Sequence, residues 1–195
     1  MCVTTTRAET RRADIRDAAI VEFMRRGYAA TSMAHIAESA GVSRPALYQY
    51  FSDKEDVFTA AFAGVFEERV DAAIAELHAG ATTREGLEAV LQRYDGDLWE
   101  LTSSSPHHEE LMQAKNPAIA AAVGVEVARL WAAVADYLKA AAPGRSAAQQ
   151  ARRSEWLDML RGSPGLRFDS PDPATYRRRL TALARAVAAD IEAST

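Results

Sequence analysis

The chain has 195 residues, 48% hydrophobic and 26% charged, enough for one or two domains with real cores. A formal net charge of −4 argues against a protein that coats nucleic acid over its whole surface. The single cysteine, Cys2, rules out an internal disulfide and fits a reducing cytoplasm.

Met1–Thr10 lacks the apolar run of a secretory leader, and residues 1–8 read as a mobile arm. Arg7, Arg11 and Arg12 on or beside that arm are candidates to touch phosphates or simply to stay solvated. The first helix is expected over Thr10–Arg26, with Ile15, Ala19 and Phe23 on one face and Gly27 as its stop.

Thr31 and Ser32 are good caps for a second helix, in which Met33, Ile36 and Ala37 form an apolar stripe. Ala40-Gly41-Val42 closes it, with Gly41 available for a left-handed cap. Ser43 then caps a third short helix, with Pro45 in its first turn, where the missing N–H costs nothing. Two short helices joined by such a turn form a helix-turn-helix, whose second helix is presented to a major groove. Its residue types suit that task. Arg44 and Gln49 are long enough to reach base edges, and Pro45 and Ala46 offer apolar surface to a thymine methyl. Ser43, Tyr48, Tyr50 and Lys54, with Thr31 on the preceding turn, are candidate donors to phosphates.

The residues Gly27-Tyr28, Thr31-Ser32, Ile36-Ala37, Ala40-Gly41-Val42-Ser43, Leu47-Tyr48, Tyr50-Phe51 and Lys54-Glu55 resemble the DNA-binding domain of the TetR family of bacterial transcriptional regulators. The resemblance implies base reading by Arg44, Pro45, Ala46 and Gln49, with Ala34 and His35 as lesser candidates. Some relatives carry a long basic residue where Ala34 stands, so one base contact is missing here. The charge distribution agrees: residues 1–51 hold seven Arg against five acids, a net +2 that leaves −6 for the remainder. The domains expected are 1–53, a three-helix DNA-binding unit, and 54–195, a helical bundle for ligand binding and dimerisation.

Ser52-Asp53-Lys54-Glu55 reads as a capping box, with Ser52 as cap and Glu55 reaching back. It opens a long helix whose stripe includes Phe58, Phe62, Val70 and Leu77. In TetR-type regulators this helix transmits ligand binding to the DNA-binding head. His78–Thr83 is a break, with Thr82 or Thr83 capping a helix that carries Leu87, Val90, Leu91, Tyr94, Leu98 and Trp99. After the loop Thr102–Pro106 a short helix is expected to Gln113. Asn116-Pro117 then starts a helix reaching about Ala142.

A further helix over Ala147–Arg161 and a last one capped by Asp172 complete about nine. No strand alternation occurs, so the fold class is all-α. The longest apolar stretch, Pro117–Val125, is too short to span a bilayer.

Tyr176, Leu180, Leu183, Val187 and Ile191 form a seam at helical spacing. The resemblance implies a homodimer through the last two helices, matching a palindromic operator of double-stranded DNA. The candidates are Trp156, Leu157, Leu160, Leu180, Leu183, Val187 and Ile191, either there or in the subunit's own core. For a small-molecule effector pocket the candidates are Tyr94, Trp99, His107, His108, Met112, Trp131 and Tyr137, although core packing is the better account of each aromatic.

His107-His108-Glu109-Glu110 lacks metal-ligand spacing, since adjacent helical residues point about 100° apart, so no metal and no cofactor is expected. No nucleophile elbow or phosphate loop supports an enzyme. A nucleoid-type binder would be more basic. The reading is a cytoplasmic DNA-binding regulator, by default a repressor, with no membrane partner.

Overall fold

A computed structural model describes residues 6–113 and 117–194, with side chains described for 6–111 and 120–194. Every regular element among the described residues is helical. In order these are α1 (Arg7–Ala30), α2 (Met33–Ser39), α3 (Arg44–Leu47), α4 (Lys54–Ala79), α5 (Thr83–Leu91), a π-helical turn (Gln92–Gly96), α6 (Asp97–Ser103), α7 (His108–Gln113), α8 (Pro117–Ala141), α9 (Ala147–Arg161), a 3-10 turn (Ser163–Arg167) and α10 (Pro173–Ala193). Because α5, the π turn and α6 follow without a gap, the described chain makes nine rods, the all-α architecture expected. The cap expected at Asn116 and the pocket candidate Met112, for its side chain, lie outside the described residues.

The chain packs as two compact units. The first comprises Met1–Phe66 with Thr102–Val123, the second Glu67–Leu101 with Gly124–Thr195. The compact unit that holds the helix-turn-helix is therefore larger than residues 1–53, and α4 contributes to both units.

In the first unit, α1 starts at Arg7 because Thr6 and Glu9 form a capping box, at 3.2 and 2.6 Å, so Arg7 is a helical residue. Gly27 sits at φ +77° and breaks the helix before Tyr28, the stop read from the sequence. The core gathers Ile15, Ala19 and Phe23 of α1, Met33 and Ile36 of α2, Leu47 of α3, and Phe51, Phe58 and Phe62. Leu111 of α7 belongs to it as well. Phe23, Tyr28, Phe58 and Phe62 pack in stacked, tilted and edge-on pairs 4.4–5.9 Å apart.

The capping box expected at α4 is shifted by one residue. Asp53 Oδ1 accepts from Asp56 N at 2.9 Å, and Asp56 reaches back to Ser52 N at 2.9 Å, so Asp53 and Asp56 replace Ser52 and Glu55. Aspartate is as good a cap as serine, and the carboxylate of Asp56 lies in the first turn where the helix dipole favours it.

The second unit buries Val70, Ala73 and Leu77 of α4, Leu87, Val90 and Leu91 of α5, Leu130, Val134 and Leu138 of α8, and Leu160 of α9. α10 packs chiefly along α5, then on the π turn, the 3-10 turn and α9. This corrects the expected dimer interface. Trp156, Leu160, Leu180, Val187 and Ile191 are buried inside this subunit, and only Leu157 and Leu183 are half exposed. The seam is buried largely within its own chain, where α10 packs chiefly along α5. Asp172 caps α10 through Thr175 N at 2.6 Å, with Pro173 at the first helical position, as the sequence indicated. Among the described residues no helix is long and apolar enough to cross a membrane.

Candidate nucleic-acid interface

Local chemistry fixes the turn between α2 and α3. Ser32 Oγ accepts from His35 N at 3.3 Å and starts α2. The helix ends with Gly41 N on Glu38 O at 3.1 Å and Val42 N on Ala37 O at 3.0 Å, with Gly41 at φ +61°. That pair of bonds is a Schellman motif, which needs the left-handed residue glycine supplies. Ser43 then caps α3 by accepting from Ala46 N at 3.2 Å.

Regular α-helix covers only Arg44–Leu47, and the bonds Gln49 N to Ala46 O and Tyr50 N to Leu47 O carry the coil through Tyr50. Leu47 is fully buried and pins α3 to the core. Arg44, Pro45, Tyr48 and Gln49 are exposed, with Ala46 half buried. Ser43 is exposed and retains its hydroxyl proton as a donor, while Tyr50 is half buried. Ala34 is exposed on the first turn of α2. His35 is half buried and lines a polar cavity with Glu22, Arg25, Arg26, Glu38 and Ser39.

Two expected phosphate donors are engaged elsewhere. Thr31 is 2% exposed, and its hydroxyl donates to Gly27 O at 2.6 Å. It braces the turn behind α2 and offers no donor to solvent. Lys54 Nζ donates to Tyr28 O at 2.8 Å and lies 4.3 Å from the centre of the Tyr28 ring. Its ammonium is held on the α1–α2 turn, where the loop carbonyls would otherwise lack donors.

The end of α1 is also held by residues around the pocket candidates His107 and His108. Glu110 Oε1 accepts from Ala29 N at 2.7 Å, and Ser105 Oγ donates to Met24 O at 2.7 Å. Glu110 Oε2 stands 3.7 Å from His107 Nδ1, and a Cβ on Gly27 would meet that oxygen at 2.2 Å. His107 and His108 thus belong to the first unit, while Tyr94, Trp99, Trp131 and Tyr137 belong to the second. Among the described residues no group of three or more His, Cys, Asp or Glu is placed to hold a metal.

In the second unit Tyr94 and Trp131 are core residues, and Trp99 packs edge-on to Tyr176 at 4.9 Å. Tyr137 is half buried near His78 and Gly86.

Glu22 is a further residue that periodicity does not reveal. It is 5% exposed and accepts from Arg25 at 2.8 Å and from Arg26 at 2.6 Å. Burial pushes its carboxyl up, but the two guanidinium partners outweigh that and hold it below the usual range. Arginine at both i+3 and i+4 was the available signal.

Residues 15–61 match the family model of bacterial regulatory proteins of the tetR family. The chain is 34% identical over 86 residues to the HTH-type transcriptional activator FasR of Mycolicibacterium smegmatis, an alignment covering 44% of this chain and 39% of that protein. The match spans well under half the length of that relative. A TetR-family transcriptional regulator from Mesorhizobium loti superposes with a TM-score of 0.68 at 19% identity, covering 95% of this chain and 98% of that one. The regulator FadR of Bacillus subtilis, solved in complex with stearoyl-CoA, superposes with a TM-score of 0.60 at 18% identity, covering 93% and 98%. At such identities the superpositions show a shared fold.

Proposed function

From the premise that this chain is a TetR-family transcriptional regulator with the family's DNA-binding domain, we propose that it represses transcription as a homodimer bound to a palindromic operator, from which a small molecule releases it. The carrying observation is the α2–α3 turn. A Schellman cap and a Ser43 cap present Arg44, Pro45, Tyr48 and Gln49 to solvent from a helix anchored by buried Leu47. Arg44 and Gln49 read base edges, Pro45 and Ala46 pack on thymine methyls, and Ala34 and His35 flank them. Ser43, Tyr48 and Tyr50 bind phosphates. Arg7 and Arg11, which with Tyr50 line an open concave surface, add to that set.

Dimerisation uses the face that the subunit's own core leaves uncovered. Ala182, Ala186 and Ala189 of α10 are exposed at helical spacing, with half-exposed Leu183 next in the same helix and half-exposed Leu157 on α9. Met159 is 48% exposed and Phe168 85% exposed. An apolar set of this kind fits an isologous contact with a second copy. The effector is small and amphipathic, with Trp99 and Tyr137 as its nearest remaining aromatic candidates in the second unit. α4, which contributes to both units, is the proposed link between effector and operator. The effector's influence is limited to its differential affinity for the two states. The protein acts in the cytoplasm.

The test is selection of bound sequences from a random duplex pool at physiological salt. An enriched palindrome bound by a dimer supports the reading, and its use as a promoter element then gives the sign of regulation. A folded protein that enriches no sequence, with or without fatty acyl ligands, refutes it.

A further inference from the structure

Among the arginines of the first two turns of α1, Arg12 stands apart. Arg7 and Arg11 line the open concave surface beside Tyr50, and Arg12 does not. Its Nη1 donates to the backbone carbonyl of Tyr50, 38 residues away, and its guanidinium lies over the Phe51 ring, 4.1 Å from the ring centre. One planar group thus uses its edge as a donor and its face as a stacking surface, a combination open to arginine and closed to lysine.

The place of that contact gives it meaning. α3 is four residues long, and a single helical turn has no stability or orientation of its own. Leu47 holds its inner face, and Phe51, 2% exposed, fixes the chain where it leaves. Between them the stretch Tyr48–Tyr50 is tied only by short-range backbone bonds, Tyr48 N to Arg44 O, Gln49 N to Ala46 O and Tyr50 N to Leu47 O. The Tyr50 carbonyl lies at the exit of this stretch, directly after Gln49, the second expected base reader. An anchor there fixes the direction in which Gln49 and Tyr48 leave the coil.

We propose that Arg12 is a positioning residue for base reading: it ties the exit of the recognition helix to α1 and does not itself contact phosphate. This rests on the reading of α3 as the element that enters the major groove. Nη1 serves the carbonyl and one face covers the ring, while the other N–H donors of this exposed side chain remain open to solvent. The two roles are therefore told apart by what their loss does to binding. Loss of a phosphate contact weakens all DNA alike and removes one counterion from the salt dependence. Loss of a positioning contact leaves charge neutralisation by the remaining cations intact and degrades discrimination between sequences.

The test compares full-length wild type with Arg12→Met, which keeps an apolar stem over Phe51 and removes the donor. Both are titrated at several salt concentrations with the duplex selected by the wild type and with a scrambled duplex. The expected result is about a tenfold loss on the selected duplex, little change on the scrambled one, and an unchanged salt slope. An equal loss on both duplexes with a slope lower by about one overturns the proposal, and so does unchanged binding to both. If Arg12→Met melts below the assay temperature, Arg12→Leu, which also removes both charge and donor, takes its place with the same readings. Failure of the wild type to select any sequence refutes the α3 reading itself, which separates that failure from failure of the role assigned to Arg12.

Discussion

Replacing Asp95 by asparagine should stabilise this protein at neutral pH. Asp95 lies in the π turn, 6% exposed, with the Ser163 hydroxyl donating to its Oδ2. Tyr176 donates its hydroxyl to Ser163 O at 3.3 Å, so the π turn, the 3-10 turn and α10 meet there. Burial pushes the Asp95 carboxyl up from 3.8 to about 6, against smaller downward effects of the Ser163 hydrogen bond and the Arg167 charge. Tyr94 and Tyr176 flank it, and their phenols are themselves pushed upward, chiefly by burial.

A folded-state value above the unfolded one means that the folded protein binds the proton more tightly. The resulting stability is fully present below about pH 3.8 and is lost as pH rises through about 6. At roughly 1.4 kcal/mol per unit, complete ionisation costs on the order of 3 kcal/mol. Asparagine keeps the shape and cannot ionise. Urea unfolding followed by circular dichroism, at fixed protein concentration and at half-unit steps from pH 4.5 to 8, measures the difference between the two proteins. Asp95→Asn should be more stable by about 1–3 kcal/mol at pH 7.5, with the gap shrinking steadily toward pH 4.5. A difference constant across that range would refute the reasoning.

Three other outcomes follow from the geometry. Arg44→Ala should cost about 1–3 kcal/mol on the selected operator and blur preference at one base position, measured by titration against single-base variants; unchanged preference removes Arg44 from the reading set. Lys54→Met should lower stability by about 1 kcal/mol through loss of the Tyr28 O bond, with the salt slope of DNA binding unchanged. A slope lower by about one without loss of stability would return Lys54 to the phosphate set. Ala186→Glu places a charge on the exposed face of α10 and should give a folded monomer in analytical ultracentrifugation, whereas a persistent dimer would move the interface elsewhere.

The sequence by itself determined what depends on neighbours within four residues. Apolar positions at helical spacing, the Gly27 stop, the Ala40–Ser43 turn and the Asp172-Pro173 start all act over one turn of chain, and the structure places each where it was read. Even the misassigned cap of α4 is off by a single position: Asp53 accepts from Asp56 N, and Ser52 donates its N–H and hydroxyl to the Asp56 carboxylate. Exposure of Arg44, Pro45 and Gln49 followed from the same local logic, with buried Leu47 fixing which face is left over.

Tertiary structure decided the choice among partners distant in sequence. An apolar seam states that it will be buried but not against which surface. Leu180, Val187 and Ile191 are buried within their own chain, where α10 packs chiefly along α5, leaving the alanine face of α10 outward. A polar side chain states its chemistry but not its address. Lys54 and Thr31 carry donors that suit phosphates, yet backbone carbonyls near Gly27 lie closer and take them. Arg12 reaching Tyr50, Glu110 reaching Ala29 and Asp95 meeting Ser163 each join residues 38 to 81 apart. Such contacts are set by how helices pack, because burying apolar area fixes the frame and polar groups take the partners that the frame brings near.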